Sequence, residues 1–223
     1  MILHIRGIDL FYTKTGTGPA LLLVHGNGED HRIFDEAIDV LKDHFTCYAV
    51  DSRGHGQSSP VTEYHYQDMA DDMTAFLEAL DLTDVTFYGF SDGGIIGLLA
   101  APATPRITRL ILSGANTQPD RVVLWLRLVI TLSSVIRKDP LMTLMRNEPH
   151  ITDEWLRRIQ VPTLVLAGQK DLIKEAETRH IAAAIPGADL KILPRETHGS
   201  YIVHSEKIAR EILAWHPAGR KNA

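Results

Sequence analysis

The sequence predicts an α/β fold with a mostly parallel central sheet, helices on both faces of the sheet and a short helical insertion. Apolar runs of strand length recur along the chain and alternate with segments of helical periodicity. Such alternation predicts a parallel sheet, because parallel strands need crossover connections and helices usually supply them. The runs are almost continuously apolar, which is typical of strands buried on both faces.

The predicted elements follow in order from the N-terminus. Two short strands, residues 2–5 and 9–13, precede a turn-rich segment and are expected to form an antiparallel edge. Further strands are predicted at residues 20–24, 46–50, 85–88, 109–113, 163–167 and 190–193. Helical patterns lie between them at residues 31–42, 66–80, 93–101, 175–185 and 205–215. We interpret residues 1–223 as a single domain, because no segment resembles a linker.

Composition excludes several classes of function. The formal net charge is −5 and no block of lysine or arginine occurs, so we expect a small-molecule substrate and neither nucleic acid nor membrane as partner. Cys47 is the only cysteine, which rules out an intramolecular disulfide and a multi-cysteine metal site. The N-terminus lacks the features of a signal peptide, so a cytoplasmic location is expected. No cofactor motif is found, and composition leaves the oligomeric state open.

A glycine-rich motif surrounds Ser91. Gly89, Ser91 and Gly93 fall between a predicted strand and a predicted helix, in the pattern G-x-S-x-G. In a turn of this kind the serine has a strained backbone, and its hydroxyl stands at the positive end of the following helix. An isolated G-x-S-x-G motif is more often only a glycine-rich turn, so the rest of the chain must decide between the two interpretations.

Four stretches of sequence together decide between a plain glycine-rich turn and a turn that presents a catalytic serine. They are residues 22–28 (Leu-Leu-Val-His-Gly-Asn-Gly), residues 51–58 (Asp-Ser-Arg-Gly-His-Gly-Gln-Ser), the turn around Ser91, and the pair 166–171 and 196–199. In this order they make the chain resemble the α/β-hydrolase superfamily over nearly its whole length. The resemblance implies a catalytic serine, acid and histidine in that order along the chain, and Ser91, Asp171 and His198 satisfy it.

His198 is the candidate general base among eleven histidines. A serine hydroxyl needs a base to remove its proton, and His198 follows the last predicted strand, at the same end of the sheet as Ser91. His25 and His55 lie in glycine-rich loops at that end and are the serious rivals. The resemblance assigns both of them to loop architecture.

Asp171 is the candidate third member, because it follows the strand at residues 163–167 and can accept the other imidazole N–H. The alternative is that Asp171 caps the next helix, and the two roles are not expected to share one carboxylate comfortably. The backbone N–H of Asp92 is the first candidate oxyanion donor, and the resemblance places the second at Asn27. The Asp92 side chain has two interpretations: a carboxylate in the first turn of a helix, or a recognition group for a substrate cation at the mouth of the pocket.

Residues 116–155 lie between two predicted strands, where α/β-hydrolases insert a cap, and they are interpreted as a short lid. We expect a cofactor-independent serine hydrolase that cleaves a small ester or related acyl substrate through an acyl-enzyme on Ser91. The alternative is a ligand receptor or regulatory protein of this superfamily with slow turnover or none. Perhydrolase and carbon–carbon hydrolase chemistry stays open, whereas dehalogenase and epoxide hydrolase chemistry is disfavoured, because those families place an aspartate where Ser91 stands.

Overall fold

The computed structural model describes residues 1–216, and their strands form one eight-stranded sheet. Residues 217–223 of the predicted domain lie outside the described residues. The strands are β1 (Ile2–Ile5), β2 (Ile8–Thr15), β3 (Ala20–Val24), β4 (Thr46–Val50), β5 (Val85–Phe90), β6 (Ile107–Ser113), β7 (Thr163–Lys170) and β8 (Asp189–Thr197). Their spatial order is β1-β2-β4-β3-β5-β6-β7-β8. Strand β2 pairs antiparallel with β1 and β4, and the remaining pairs are parallel, so the predicted fold class is confirmed.

The described residues form eight α-helices, the last of which follows the last strand. They are α1 (Asp35–Leu41), α2 (Tyr66–Ala79), α3 (Asp92–Ala100), α4 (Leu124–Leu132), α5 (Pro140–Asn147), α6 (Asp153–Arg157), α7 (Glu175–Ala184) and α8 (Lys207–Trp215). The segment predicted as one helix at residues 31–42 begins instead with a 3-10 turn, His31–Phe34. The Asp30 carboxylate accepts the Arg32 backbone N–H there, which favours a tight first turn. Helices α4, α5 and α6 lie between β6 and β7, where the insertion was predicted.

The sheet is buried on both faces, as the continuous apolar runs predict. In β3, Leu22 and Val24 pack into one hydrophobic cluster, whereas Leu21 and Leu23 pack into a second cluster. All four side chains are fully buried. Because successive residues of a strand point to opposite faces, only a strand with a core on each side can have this pattern.

Strand β8 differs from the central strands. It lies beside β7 as the outermost strand at one edge of the described sheet, and eight of its nine residues are exposed or half-buried, whereas Leu193 is buried. The prediction found only residues 190–193, since the polar ends of β8 carry no apolar signal. Backbone hydrogen bonds with β7 extend the strand through those ends.

Candidate active site

Ser91 lies at the sharp turn between β5 and α3. Its backbone has φ 53° and ψ −113°, a conformation that a residue with a side chain rarely adopts. The turn needs glycine on both sides: a Cβ on Gly89 would collide with the Gly93 carbonyl, and a Cβ on Gly93 would collide with the Val24 carbonyl. The close packing of the turn against β3 therefore fixes Ser91 at the end of the sheet.

Ser91, His198 and Asp171 form a hydrogen-bonded chain. The Ser91 hydroxyl donates to His198 Nε2 over 3.0 Å, and His198 Nδ1–H donates to Asp171 Oδ1 over 2.6 Å. Three different strand ends supply them, those of β5, β8 and β7. The imidazole also packs against the Phe90 ring at 5.0 Å between centroids. The three predicted residues thus meet in the order that proton transfer from a serine requires.

The Asp171 carboxylate is held by backbone groups as well as by His198. Oδ1 also accepts the Ile173 N–H at 2.9 Å, and Oδ2 accepts the Gly168 N–H at 3.1 Å. Helix α7 begins only at Glu175, so Asp171 does not cap it. Of the two roles considered for Asp171, the structure therefore has the hydrogen bond with His198 and not the helix cap, and the remaining lone pairs of the carboxylate accept the Ile173 and Gly168 N–H groups.

Backbone donors for an oxyanion are available near Ser91. Asp92 is the first residue of α3, so the helix itself leaves its N–H without an acceptor. The Asn27 N–H donates no hydrogen bond to any of the described residues. Asn27 and Ser91 line the same cavity, and a Cβ on Gly26 would stand 3.0 Å from Ser91 Cβ. The loop after β3 thus approaches the serine closely.

The side chain of Asp92 does not face the pocket. It is 4% exposed; Oδ2 accepts Asn27 Nδ2–H at 2.9 Å and Oδ1 accepts the Tyr66 hydroxyl at 2.8 Å. Burial raises the pKa of the Asp92 carboxyl, although the bonds from Asn27 and Tyr66 act in the opposite direction. The recognition role at the pocket mouth is therefore wrong. The carboxylate instead joins α3, the loop after β3 and α2.

His25 and His55 belong to the loop scaffold. His25 Nδ1–H donates to the Gly26 carbonyl at 2.7 Å, and Nε2 accepts the Ser52 N–H at 3.0 Å. The His55 ring packs against His25 in a tilted arrangement, with 5.1 Å between the ring centroids. Both rings are buried, and the hydrogen bond from Ser91 goes to His198. The geometry thus separates the two rivals from the position of a general base.

A cluster of potential metal ligands lies beside this scaffold. Donor atoms of Asp30, His31 and Asp51 are all within 4.8 Å of one another. Asp51 Oδ1 accepts both the backbone N–H and Nδ1–H of His31, and the Arg32 guanidinium contacts Asp30. The donor atoms are therefore used in hydrogen bonds and an ion pair, and this arrangement suits a structural loop.

A cavity of about 200 Å³ opens onto Ser91 and His198. Its wall is mostly apolar and comes from the end of β5, from helices α4 and α5, and from the loops after β3, β6, β7 and β8. The lining residues are Asn27, Glu29, Phe90, Ser91, Asn116, Val122, Leu126, Met142, Met145, Leu172, Ile173 and His198. Sequence reasoning missed Glu29, a carboxylate in the loop after β3. It also missed Gly114, whose hypothetical Cβ would stand 2.7 Å from His198 Cε1.

Residues 19–137, more than half of the chain, match the family model described as the alpha/beta hydrolase fold. The chain belongs to the α/β-hydrolase family. The matched segment of this α/β-hydrolase includes the motifs around Asn27 and Ser91. No helix among residues 1–216 combines the length and apolar character needed to cross a membrane.

Several known proteins similar to this α/β-hydrolase are named as hydrolases or as a peroxidase. The serine hydrolase BPHL of Homo sapiens is 30% identical over 94% of this chain and 84% of its own length. The non-heme chloroperoxidase CPO-A1 of Kitasatospora aureofaciens is 28% identical over 93% of this chain and 95% of its own length. The solved esterase RhEst1 from Rhodococcus sp. ECU1013 has a TM-score of 0.82 at 21% identity, with 96% of this chain and 97% of that chain covered, which shows a shared fold. Together these similarities support a hydrolase.

Proposed function

We propose that the protein is a cofactor-independent serine hydrolase that cleaves small esters or related acyl compounds through an acyl-enzyme on Ser91. The observation that carries the proposal is the hydrogen-bonded chain from Ser91 through His198 to Asp171, with separations of 3.0 and 2.6 Å, whose Ser91 and His198 line a cavity. The size of the cavity, about 200 Å³, favours a short acyl group.

In the first half-reaction the Ser91 oxygen attacks the ester carbonyl while His198 Nε2 takes the hydroxyl proton. Asp171 keeps the imidazole in the tautomer with Nδ1 protonated and stabilises the imidazolium that forms. The carbonyl oxygen becomes an oxyanion, for which the backbone N–H groups of Asn27 and Asp92 are the proposed donors. His198 then gives its proton to the alcohol, which leaves as the carbon–oxygen bond breaks.

In the second half-reaction water takes the place of the alcohol. His198 removes a proton from this water as its oxygen attacks the acyl carbon, and the same N–H donors receive the oxyanion. Collapse of the intermediate breaks the bond to Ser91 Oγ, which recovers its proton from His198. The products are a carboxylic acid and the free enzyme, so no outside oxidant, reductant or metal is needed.

The test follows p-nitrophenyl acetate and p-nitrophenyl butyrate by absorbance and the protein by intact mass. We expect steady turnover and, after rapid acid quench, one added acyl group on Ser91. Ser91→Ala should show neither, and His198→Ala and Asp171→Asn should each lower kcat by several orders of magnitude, because the three groups act as a unit. Ser133→Ala, which removes a lid serine that does not line the cavity, is the matched control.

The same experiment separates the enzyme from the receptor alternative. One acyl group per chain with no further release of product would support a ligand receptor that retains the three residues. Near wild-type kcat in His198→Ala would contradict the proposal, because no other histidine accepts a hydrogen bond from Ser91 among the described residues.

A further inference from the structure

Glu29 brings a second carboxyl group close to the proposed nucleophile. Its Oε2 accepts the Gly26 N–H at 3.0 Å, so the side chain folds back over the loop that follows β3. A Cβ built on Gly26 would stand 2.7 Å from Glu29 Oε2 and 3.0 Å from Ser91 Cβ. Glu29 Oε2 and Ser91 Cβ thus lie close to the same position above Gly26, so the two side chains are near neighbours.

The second oxygen of this carboxylate is open to a ligand. Among the described residues none donates a hydrogen bond to Glu29 Oε1, and no lysine, arginine or histidine forms an ion pair with Glu29. The residue is half-buried and lines the same cavity as Ser91 and His198. A carboxylate that is partly desolvated and has no cationic partner leaves interaction energy unused in the empty site.

The other carboxylates near the site are already engaged. Asp171 binds His198 and two backbone N–H groups, and Asp92 is buried with Asn27 and Tyr66. Most of the remaining cavity wall is apolar, and it contains no lysine or arginine. Glu29 is therefore the acidic side chain of the cavity wall that a bound substrate can contact.

We propose that Glu29 is a cation subsite, which selects esters that carry a protonated amine within reach of the acyl carbonyl and disfavours esters that carry a carboxylate. The inference rests on the proposed function and adds the substrate class. An ammonium group would donate to Oε1, while Oε2 keeps its bond to Gly26. A carboxylate on the substrate would be repelled and would lose water without gaining a donor.

The test compares three ethyl esters of similar length in a pH-stat: those of β-alanine, butyric acid and succinic acid (the monoester), which are cationic, neutral and anionic. A charge-assisted hydrogen bond in a partly desolvated site predicts a preference of roughly 10- to 100-fold in kcat/KM for the β-alanine ester over the butyrate ester. The succinate ester should be the poorest substrate.

Glu29→Gln separates recognition from loop geometry. The glutamine Oε1 can still accept the Gly26 N–H, so the loop keeps its bond while the charge is lost. The β-alanine to butyrate ratio should fall to near one and the succinate ester should improve. Asp30→Asn is the matched control: it removes the neighbouring carboxylate, which contacts Arg32, and asparagine can still cap the 3-10 turn. It should keep the wild-type ratio.

Binding to Ser91→Ala tests the subsite without turnover. By calorimetry this variant should bind the β-alanine ester more tightly than the butyrate ester, and Ser91→Ala with Glu29→Gln should not. Equal ratios in the wild type and Glu29→Gln, together with equal binding, would overturn the cation subsite even if Ser91 is acylated. Failure of Ser91 to form an acyl-enzyme would overturn the proposed function instead, whatever the binding result.

Discussion

Gly114 lies at the end of β6, against the imidazole of His198. Its φ is +64°, and a Cβ there would stand 2.7 Å from His198 Cε1 and 2.9 Å from Nδ1. Gly114→Ala should therefore push the ring away from Ser91. A displacement of about 1 Å costs roughly 100-fold in rate, so we expect kcat to fall by about that factor in steady-state assays.

Gly187→Ala is the control for this prediction. Gly187 has φ +71° like Gly114, but a Cβ there meets no atom within 4 Å. It should cost about 1 kcal/mol of stability from backbone strain and leave kcat unchanged. If the two variants lose activity equally, displacement of His198 is not the cause.

Tyr66 satisfies one oxygen of the buried Asp92 carboxylate at 2.8 Å. Tyr66→Phe leaves that oxygen without a donor, so the free energy of unfolding in urea should fall by about 1–3 kcal/mol. Tyr64→Phe removes a hydroxyl that donates to the Gly54 carbonyl over 3.3 Å from a half-buried side chain. Its cost should be clearly smaller, and equal losses would argue against Asp92 as the reason.

At the scale of elements, helices α4 and α5 of the predicted lid contribute side chains to the cavity wall. Met145 of α5 and Leu126 of α4 line the same cavity as Ser91. Met145→Ala should enlarge the cavity and raise kcat/KM for p-nitrophenyl hexanoate relative to the acetate by about tenfold, which is the usual effect of added room for methylene groups. Leu128→Ala changes an α4 side chain that is 56% exposed outside the cavity, and it should leave the ratio as it is.

The sequence was most informative about the elements of the sheet and least informative about loop side chains. Strands β3 and β4 were predicted to the residue, because their apolar runs coincide with the hydrogen-bonded segments. Strands β7 and β8 continue into polar residues that only pairing keeps extended. Asp92 and Glu29 show what the sequence could not predict. Both lie in predicted loops or turns. Asp92 is turned away from the pocket by hydrogen bonds with Tyr66 and Asn27, which are distant from it in sequence.

For the molecule as a whole, His25 links pH to stability. Burial lowers the pKa of His25 from 6.5 to about 4. In the neutral state, His25 Nε2 accepts the Ser52 N–H. Protonation would turn Nε2 into a donor, so two donors would then face each other. Between pH 6.5 and about pH 4 the unfolded chain binds more protons than the folded chain. The contribution of neutral His25 to the free energy of unfolding is therefore fully present above pH 6.5 and is lost as the pH falls towards 4. The full shift corresponds to about 3 kcal/mol.

Urea unfolding at pH 7 and at pH 4.5 checks this prediction. His216, whose pKa is also lowered to about 4 by burial, acts in the same direction, whereas Asp92 and Glu29, whose pKa values are raised by burial, act in the opposite one. His25→Asn removes one titrating group, so its stability should depend less on pH than that of the wild type. An identical dependence in both proteins would show that His25 does not titrate on unfolding.

Because β8 is the outermost strand beside β7, we expect this edge of the sheet to open before its centre on heating. His198 follows β8, which pairs with β7 at one edge, whereas Ser91 follows β5, which is paired on both sides. Fraying of the edge would carry His198 away from Ser91 while β3 and β5 stay folded. Amide hydrogens of β8 should therefore exchange with deuterium well before those of β5, and on heating, the proposed esterase activity should disappear several degrees below the temperature at which circular dichroism reports loss of the helices.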